Sequence, residues 1–100
     1  MSMDFTFKPE NGQTIGASTT LARNSIAFTR DEVCIYSETS DFYLKFGASD
    51  GTVTTTSGGY DKRCLAGKEY ELNTGGHQYV AVILASGTDT IHVNQWTKKR

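Results

Sequence analysis

Long apolar runs, proline and an excess of charge of either sign are what this chain most lacks. No stretch approaches the ~18 apolar residues of a membrane-spanning helix. The opening MSMDFTFKPE has neither the basic start nor the apolar middle of a secretory signal. The expectation is synthesis in a host cytoplasm, without export by the usual route and without a membrane partner. Ten basic residues stand interspersed among eleven acidic ones. No basic stripe exists to neutralise a run of phosphates, so a dedicated nucleic-acid binder is not expected. Residues 98–100, Lys98-Lys99-Arg100, read as a solvated basic tail. Two cysteines, Cys34 and Cys64, are too few for a disulfide framework and match no zinc spacing. Two buried thiols are the simplest reading, with a single disulfide as the alternative.

Apolar residues are also scarce, 37% of the chain, and Thr, Ser and Gly fill the deficit. Threonine suits a pleated surface because its branched carbon restricts χ1, and glycine suits the turns between strands. The mixture reads as all-β. One hundred residues make one domain. A domain of that size buries only about 60–65% of its unfolded surface, which leaves a thin margin unless an oligomer or crosslink adds to it.

The most apolar stretch is Gln78 to Trp96. Tyr79–Leu84 is strand-forming and apolar on both faces, Ala85–Thr88 is a glycine-bearing break, and Ile91, Val93 and Gln95 then alternate with His92, Asn94 and Trp96. Two such runs across a short gap predict an antiparallel hairpin, with the two-faced arm covered by the core on one side and by a loop, an arm or another subunit on the other. Elsewhere, Phe42, Leu44 and Phe46 alternate with Tyr43 and Lys45, the cleanest period of two in the chain. Strands are also expected at Ser25–Thr29, Glu32–Ser37, Tyr60–Leu65 and Lys68–Asn73. Thr52–Thr56 reads as an edge strand or a loop flap, and Thr19–Asn24 does not exclude a helix. Phe5 and Phe7, ahead of Pro9 and a turn-forming Asn11-Gly12, mark residues 1–13 as an N-terminal arm or edge strand. The paired phenylalanines return to the core or lie on a neighbouring subunit. The predicted architecture is a β-sandwich, jelly-roll-like, or a small barrel of about seven to nine short antiparallel strands. The β domain spans 14–97, with an extended N-terminal arm before it.

Constellations for catalysis are sparse. The sequence has no G-x-S-x-G elbow and no S-x-x-K pair. His77 sits at a turn and His92 on a strand face, neither beside an evident nucleophile. Asp50, Asp61 and Asp89 flank glycine-bearing loops and read as turn formers rather than calcium ligands. No catalytic activity, metal or cofactor is expected. Tyr36, Tyr43, Tyr60, Tyr79 and Trp96 offer a second line. Sharing one exposed face, they would build a subunit interface or a platform for sugar stacking. The candidate interface residues are Phe5, Phe7, Tyr79, Val80, Val82 and Trp96.

Residues 32–95 resemble small β-rich structural proteins of tailed bacteriophages and their prophages. The residues that carry the likeness are Tyr43-Leu44-Lys45-Phe46-Gly47, a Thr/Ser-rich loop, and Cys64-Leu65-Ala66-Gly67-Lys68-Glu69-Tyr70-Glu71-Leu72. A glycine turn then leads into Tyr79–Ile83 and Ser86-Gly87-Thr88. The two cysteines, Trp96 and the longer N-terminal segment depart from the pattern. The resemblance implies a role in virion architecture, as a capsid decoration (cement) or accessory protein. Its partners would be copies of itself, as a dimer or trimer, and a viral capsid or other virion protein. A carbohydrate- or cell-surface-binding module of a tail or fibre is the alternative.

Overall fold

The computed structural model describes residues 5–7 and 12–98, with side chains for 12–95. Nine strands run through them: β1 (Phe5–Phe7), β2 (Gln13–Ala17), β3 (Ala22–Arg23), β4 (Glu32–Ser37), β5 (Phe42–Gly47), β6 (Lys62–Cys64), β7 (Tyr70–Asn73), β8 (Tyr79–Leu84) and β9 (Asp89–Lys98). No helix occurs among the described residues. All pairings are antiparallel and form two sheets, β2-β9-β4-β7 and β3-β8-β5-β6. β1 lies on the same edge of β9 as β2, with Phe7 opposite Trp96 and Phe5 opposite Lys98. Residues 5–7 therefore run as an edge strand on their own chain.

Every connection from β2 to β9 crosses between the sheets except β5 to β6, which joins neighbours. That order, a central β9 in one sheet and a central β8 in the other, is the jelly roll. The expected sandwich is the architecture observed.

The expected hairpin is not. β8 pairs with β3 and β5, and β9 pairs with β1, β2 and β4, so Ala85–Thr88 is an arch between sheets. Both runs carry apolar residues on alternate positions, and each is satisfied by partners far away in sequence. Local alternation does not distinguish an arch from a hairpin. Gly87 at φ 76° gives the arch a backbone that other residues adopt at a cost.

The core lies between the sheets and follows the period of two. Ile15 and Ala17 of β2, Val33 and Ile35 of β4, Phe42 and Leu44 of β5, Val80, Val82 and Leu84 of β8, and Ile91 and Val93 of β9 point inward and are buried. Phe46, Tyr70 and Leu72 pack against this cluster from its margins. Two loops add plugs. Phe28 closes one end from the β3–β4 loop, and Val53 is buried beneath the β5–β6 loop.

The sequence predicts a strand in the first of these loops, and an edge strand or a loop flap in the second. Ser25–Thr29 instead follows side-chain amides. Gln95 Oε1 accepts from the Thr29 amide at 2.7 Å and the Arg30 amide at 3.0 Å, while Asn24 Nδ2 donates to the Ile26 carbonyl at 2.7 Å. Thr52–Thr56 takes the loop alternative, closed by the Thr54 amide on the Gly59 carbonyl at 2.8 Å and the Gly59 amide on the Thr56 carbonyl at 2.9 Å.

Candidate interaction surface

Alternation fixes what each sheet shows to its outer side. On β5 the outward residues are Tyr43 and Lys45, and on β8 they are Tyr79, Ala81 and Ile83, because Leu44, Val80, Val82 and Leu84 are inside. β3 and β6 are too short to show a period, yet register places Arg23 opposite Ala81 and Arg63 opposite Tyr43. Two rows result, Arg63–Tyr43–Ile83 and Arg23–Ala81–Lys45. Tyr60, from the β5–β6 loop, sets its ring edge-on to Tyr43 with centroids 4.9 Å apart. This outer face thus sets apolar and aromatic side chains on its two inner strands, with Lys45 among them and Arg23 and Arg63 on the two edge strands.

Ala81 is only 2% exposed although it points outward. Lys45 and Arg23 flank it across the sheet, and their aliphatic stems cover small neighbours while the charges stay in water. Tyr43, Tyr79 and Ile83 remain half-buried. The two-faced strand is therefore covered on its outer side partly by its own sheet. Arg23 is held by its Nε donating to the Gly51 carbonyl at 2.6 Å. Arg63 is held by Asp41 at 3.0 Å, and the other Asp41 oxygen accepts from the Ala66 amide at 2.8 Å.

The predicted interface residues separate. Tyr79 belongs to this outer face. Val80 and Val82 do not, since both are 0% exposed in the core, and a strand that turns alternate residues inward cannot offer them to a partner. Phe5, Phe7 and Trp96 are brought together as backbone, with Phe7 opposite Trp96. Their side chains lie outside the described residues.

The opposite sheet has a different outer side. Its rows read Glu71–Cys34–Asn94 and Tyr36–His92–Thr14, with Glu32 opposite Asn73. Tyr36 and His92 stack with centroids 4.7 Å apart and planes 14° off parallel. Cys34 Sγ lies 3.9 Å from Glu69 Oε1. This face is polar and acidic.

His77 lines an open groove of about 400 Å³ with Gly47, Ala48, Ser49, Gly76, Gln78 and Tyr79. The groove adjoins the tyrosine face at Tyr79. Among the described residues no three His, Cys, Asp or Glu side chains converge. Asp61 accepts from the Phe46 amide at 3.0 Å and so ties together the two ends of the β5–β6 loop.

Asp89 fastens the β8–β9 arch. Its Oδ2 accepts from the Ser37 hydroxyl at 2.7 Å and the Thr39 hydroxyl at 2.8 Å, and its Oδ1 accepts from the Thr90 amide at 2.7 Å. The Ser37 and Thr39 bonds, above all, hold the carboxyl far below the usual carboxylate range. A folded pKa below the unfolded value of about 3.9 gives a stabilisation complete at neutral pH and lost as pH falls below about 4. Asp89→Asn is expected to destabilise by about 1 kcal/mol at neutral pH, modestly because the carboxylate is water-accessible. The gap to wild type closes in acid. Urea unfolding of both proteins at neutral and acid pH checks this, and a gap that widens in acid contradicts it.

Cys34 and Cys64 are both buried, without a disulfide, on opposite sides of the sandwich. Burial pushes the Cys64 thiol up to about 12, with Lys62 pulling the other way. At pH 8 its thiolate fraction is then roughly 1,000-fold below that of an ordinary thiol. Cys64 is expected to escape a thiol reagent in the folded protein and to titrate fully in denaturant. Peptide mapping after labelling reads this directly, and rapid native labelling of Cys64 refutes it.

No family model, curated protein or solved structure matches this chain.

Proposed function

We propose that the chain is a non-enzymatic structural protein that works by adhesion between macromolecules, in its specific form a capsid decoration protein on a virion. The carrying observation is the outer face of β3-β8-β5-β6. Tyr43 and Ile83 lie side by side towards one end and Tyr79 towards the other, all half-buried, with the Arg23–Ala81–Lys45 row between them and Arg63 next to Tyr43. Aromatic anchors with arginine at the rim are what protein interfaces concentrate. The polar groups that chemistry would call on are committed to holding the fold: Ser37, Thr39 and Asp89 to the arch, Asn24 and Gln95 to the β3–β4 loop, His92 to Tyr36. The jelly-roll topology recurs in viral capsid proteins and in lectins, which supports the reading by analogy of fold alone. The resemblance of residues 32–95 to phage structural proteins points the same way. Many weak contacts would suffice on a particle, through avidity.

The test is co-sedimentation of the purified chain with particles propagated from the genome that encodes it. Wild type is expected in the particle fraction, and Ile83→Asp is expected to bind at least ~10-fold less while keeping its circular dichroism. Wild type left in the supernatant overturns the reading. The Tyr43–Tyr60 pair, on the same outer face as Tyr79 of the groove, favours a second reading, carbohydrate binding. Binding to a glycan array that Tyr60→Ala abolishes would establish it.

A further inference from the structure

The two outer faces of the sandwich differ in sign. One carries Arg23, Lys45 and Arg63, of which Arg63 is already paired with Asp41, and Asp61 stands at its margin. The other carries Glu32, Glu69 and Glu71 around Cys34 and Asn94, with no Lys or Arg among the described side chains at the outward positions of its strands. The cationic face also carries Tyr43, Ala81 and Ile83, and the acidic face the nearly parallel stack of Tyr36 and His92.

We propose that the molecule associates head to tail with copies of itself, the cationic tyrosine face of one copy seated on the acidic face of the next. This rests on the adhesive reading above and names the partner as a second copy. A face meeting a different face is a heterologous contact, which closes into a ring or continues as a filament. Two like faces would instead set cation against cation or carboxylate against carboxylate, which costs free energy. Charge therefore selects the head-to-tail arrangement over a two-fold dimer.

The contact is small. Four strands about 4.8 Å apart and six residues rising about 3.3 Å each give a patch of about 400 Å² per copy. That total of about 800 Å² is below the roughly 1,200 Å² of a stable specific interface. The association is accordingly weak and concentration-dependent in solution, and becomes effective when copies are held side by side.

Sedimentation velocity over a concentration series tests it at about 50 mM and about 500 mM salt, across which the screening length falls from roughly 14 to 4 Å. Wild type is expected to sediment faster with rising concentration at low salt and to lose that dependence at high salt. Lys45→Glu and Glu71→Lys should each lose self-association, because each sets into the contact a charge of the same sign as the face it meets. Mixed in equal amounts they should recover it, since the acidic faces of one then meet the basic faces of the other. A wild type that stays monomeric at low salt overturns the proposal without a variant, as does a mixture that stays monomeric while both variants keep wild-type circular dichroism. A salt-insensitive oligomer also overturns it. Particle binding is read separately, so a monomer that still co-sediments with particles defeats the stacking and leaves the adhesive role standing.

Discussion

Phe42→Ala is expected to cost about 3–5 kcal/mol, the largest loss from truncating any one described side chain. Phe42 heads the largest fully buried side chains, at 0% exposure. It sits on β5 with Leu84 of β8 on one side and Cys64 of β6 on the other. A cavity there is walled by both sheets, and an antiparallel sandwich has little freedom to collapse into it. Against a total stability of about 5–15 kcal/mol, the loss leaves a large unfolded fraction on warming. Phe42→Leu keeps most of the volume and is expected to lose less than about 1.5 kcal/mol. Urea midpoints at constant slope measure both. A Phe42→Ala loss below about 1 kcal/mol would mean that the two sheets do not close over this ring.

Asn24→Leu is expected to cost about 2–3 kcal/mol for a different reason. β3 is only two residues long, so it covers little of β8. The Asn24 side chain continues where its backbone leaves off. Its Oδ1 accepts from the buried Val80 amide at 2.8 Å, while its Nδ2 donates to the Ile26 carbonyl at 2.7 Å and the Gln78 carbonyl at 3.3 Å. Leucine of similar size leaves the Val80 donor buried with nothing to meet it, and that unmet group carries most of the penalty. Hydrogen exchange at the Val80 amide is the local readout. It should accelerate more than exchange at Leu44, in the middle of β5. Unchanged exchange at Val80 would remove Asn24 from this role.

The parts of the fold legible in the sequence are those whose information is local. Phe42-Tyr43-Leu44-Lys45-Phe46 names its own faces, and the structure buries Phe42 and Leu44 and turns Tyr43 and Lys45 outward. The apolar density of Tyr79–Leu84 marked a central strand, which β8 is. What it did not mark was its partner. β9 pairs with β4 and β2, dozens of residues earlier, and antiparallel alternation carries no address for so distant a strand. Alternation alone therefore points to the nearest complementary run as the hairpin partner.

The interaction surface was half legible. Tyr43, Tyr79 and Lys45 follow from alternation, but Arg23 and Arg63 lie on strands of two and three residues, too short for any period to appear. Val80 and Val82 were offered to a partner because both faces of β8 are apolar and the sequence does not say which is inside. Asn24 and Gln95 were missed altogether. Their partners lie 56 and 66 residues away in the chain, and an amide in a polar stretch looks like any solvated one.

Quantitative mass spectrometry of gradient-purified particles from the encoding genome tests the adhesive role most directly. The chain should be present at a fixed ratio to the major shell protein and should stay with the particles through repeated purification. Recovery only in the soluble fraction, with purified particles free of it, contradicts the assignment.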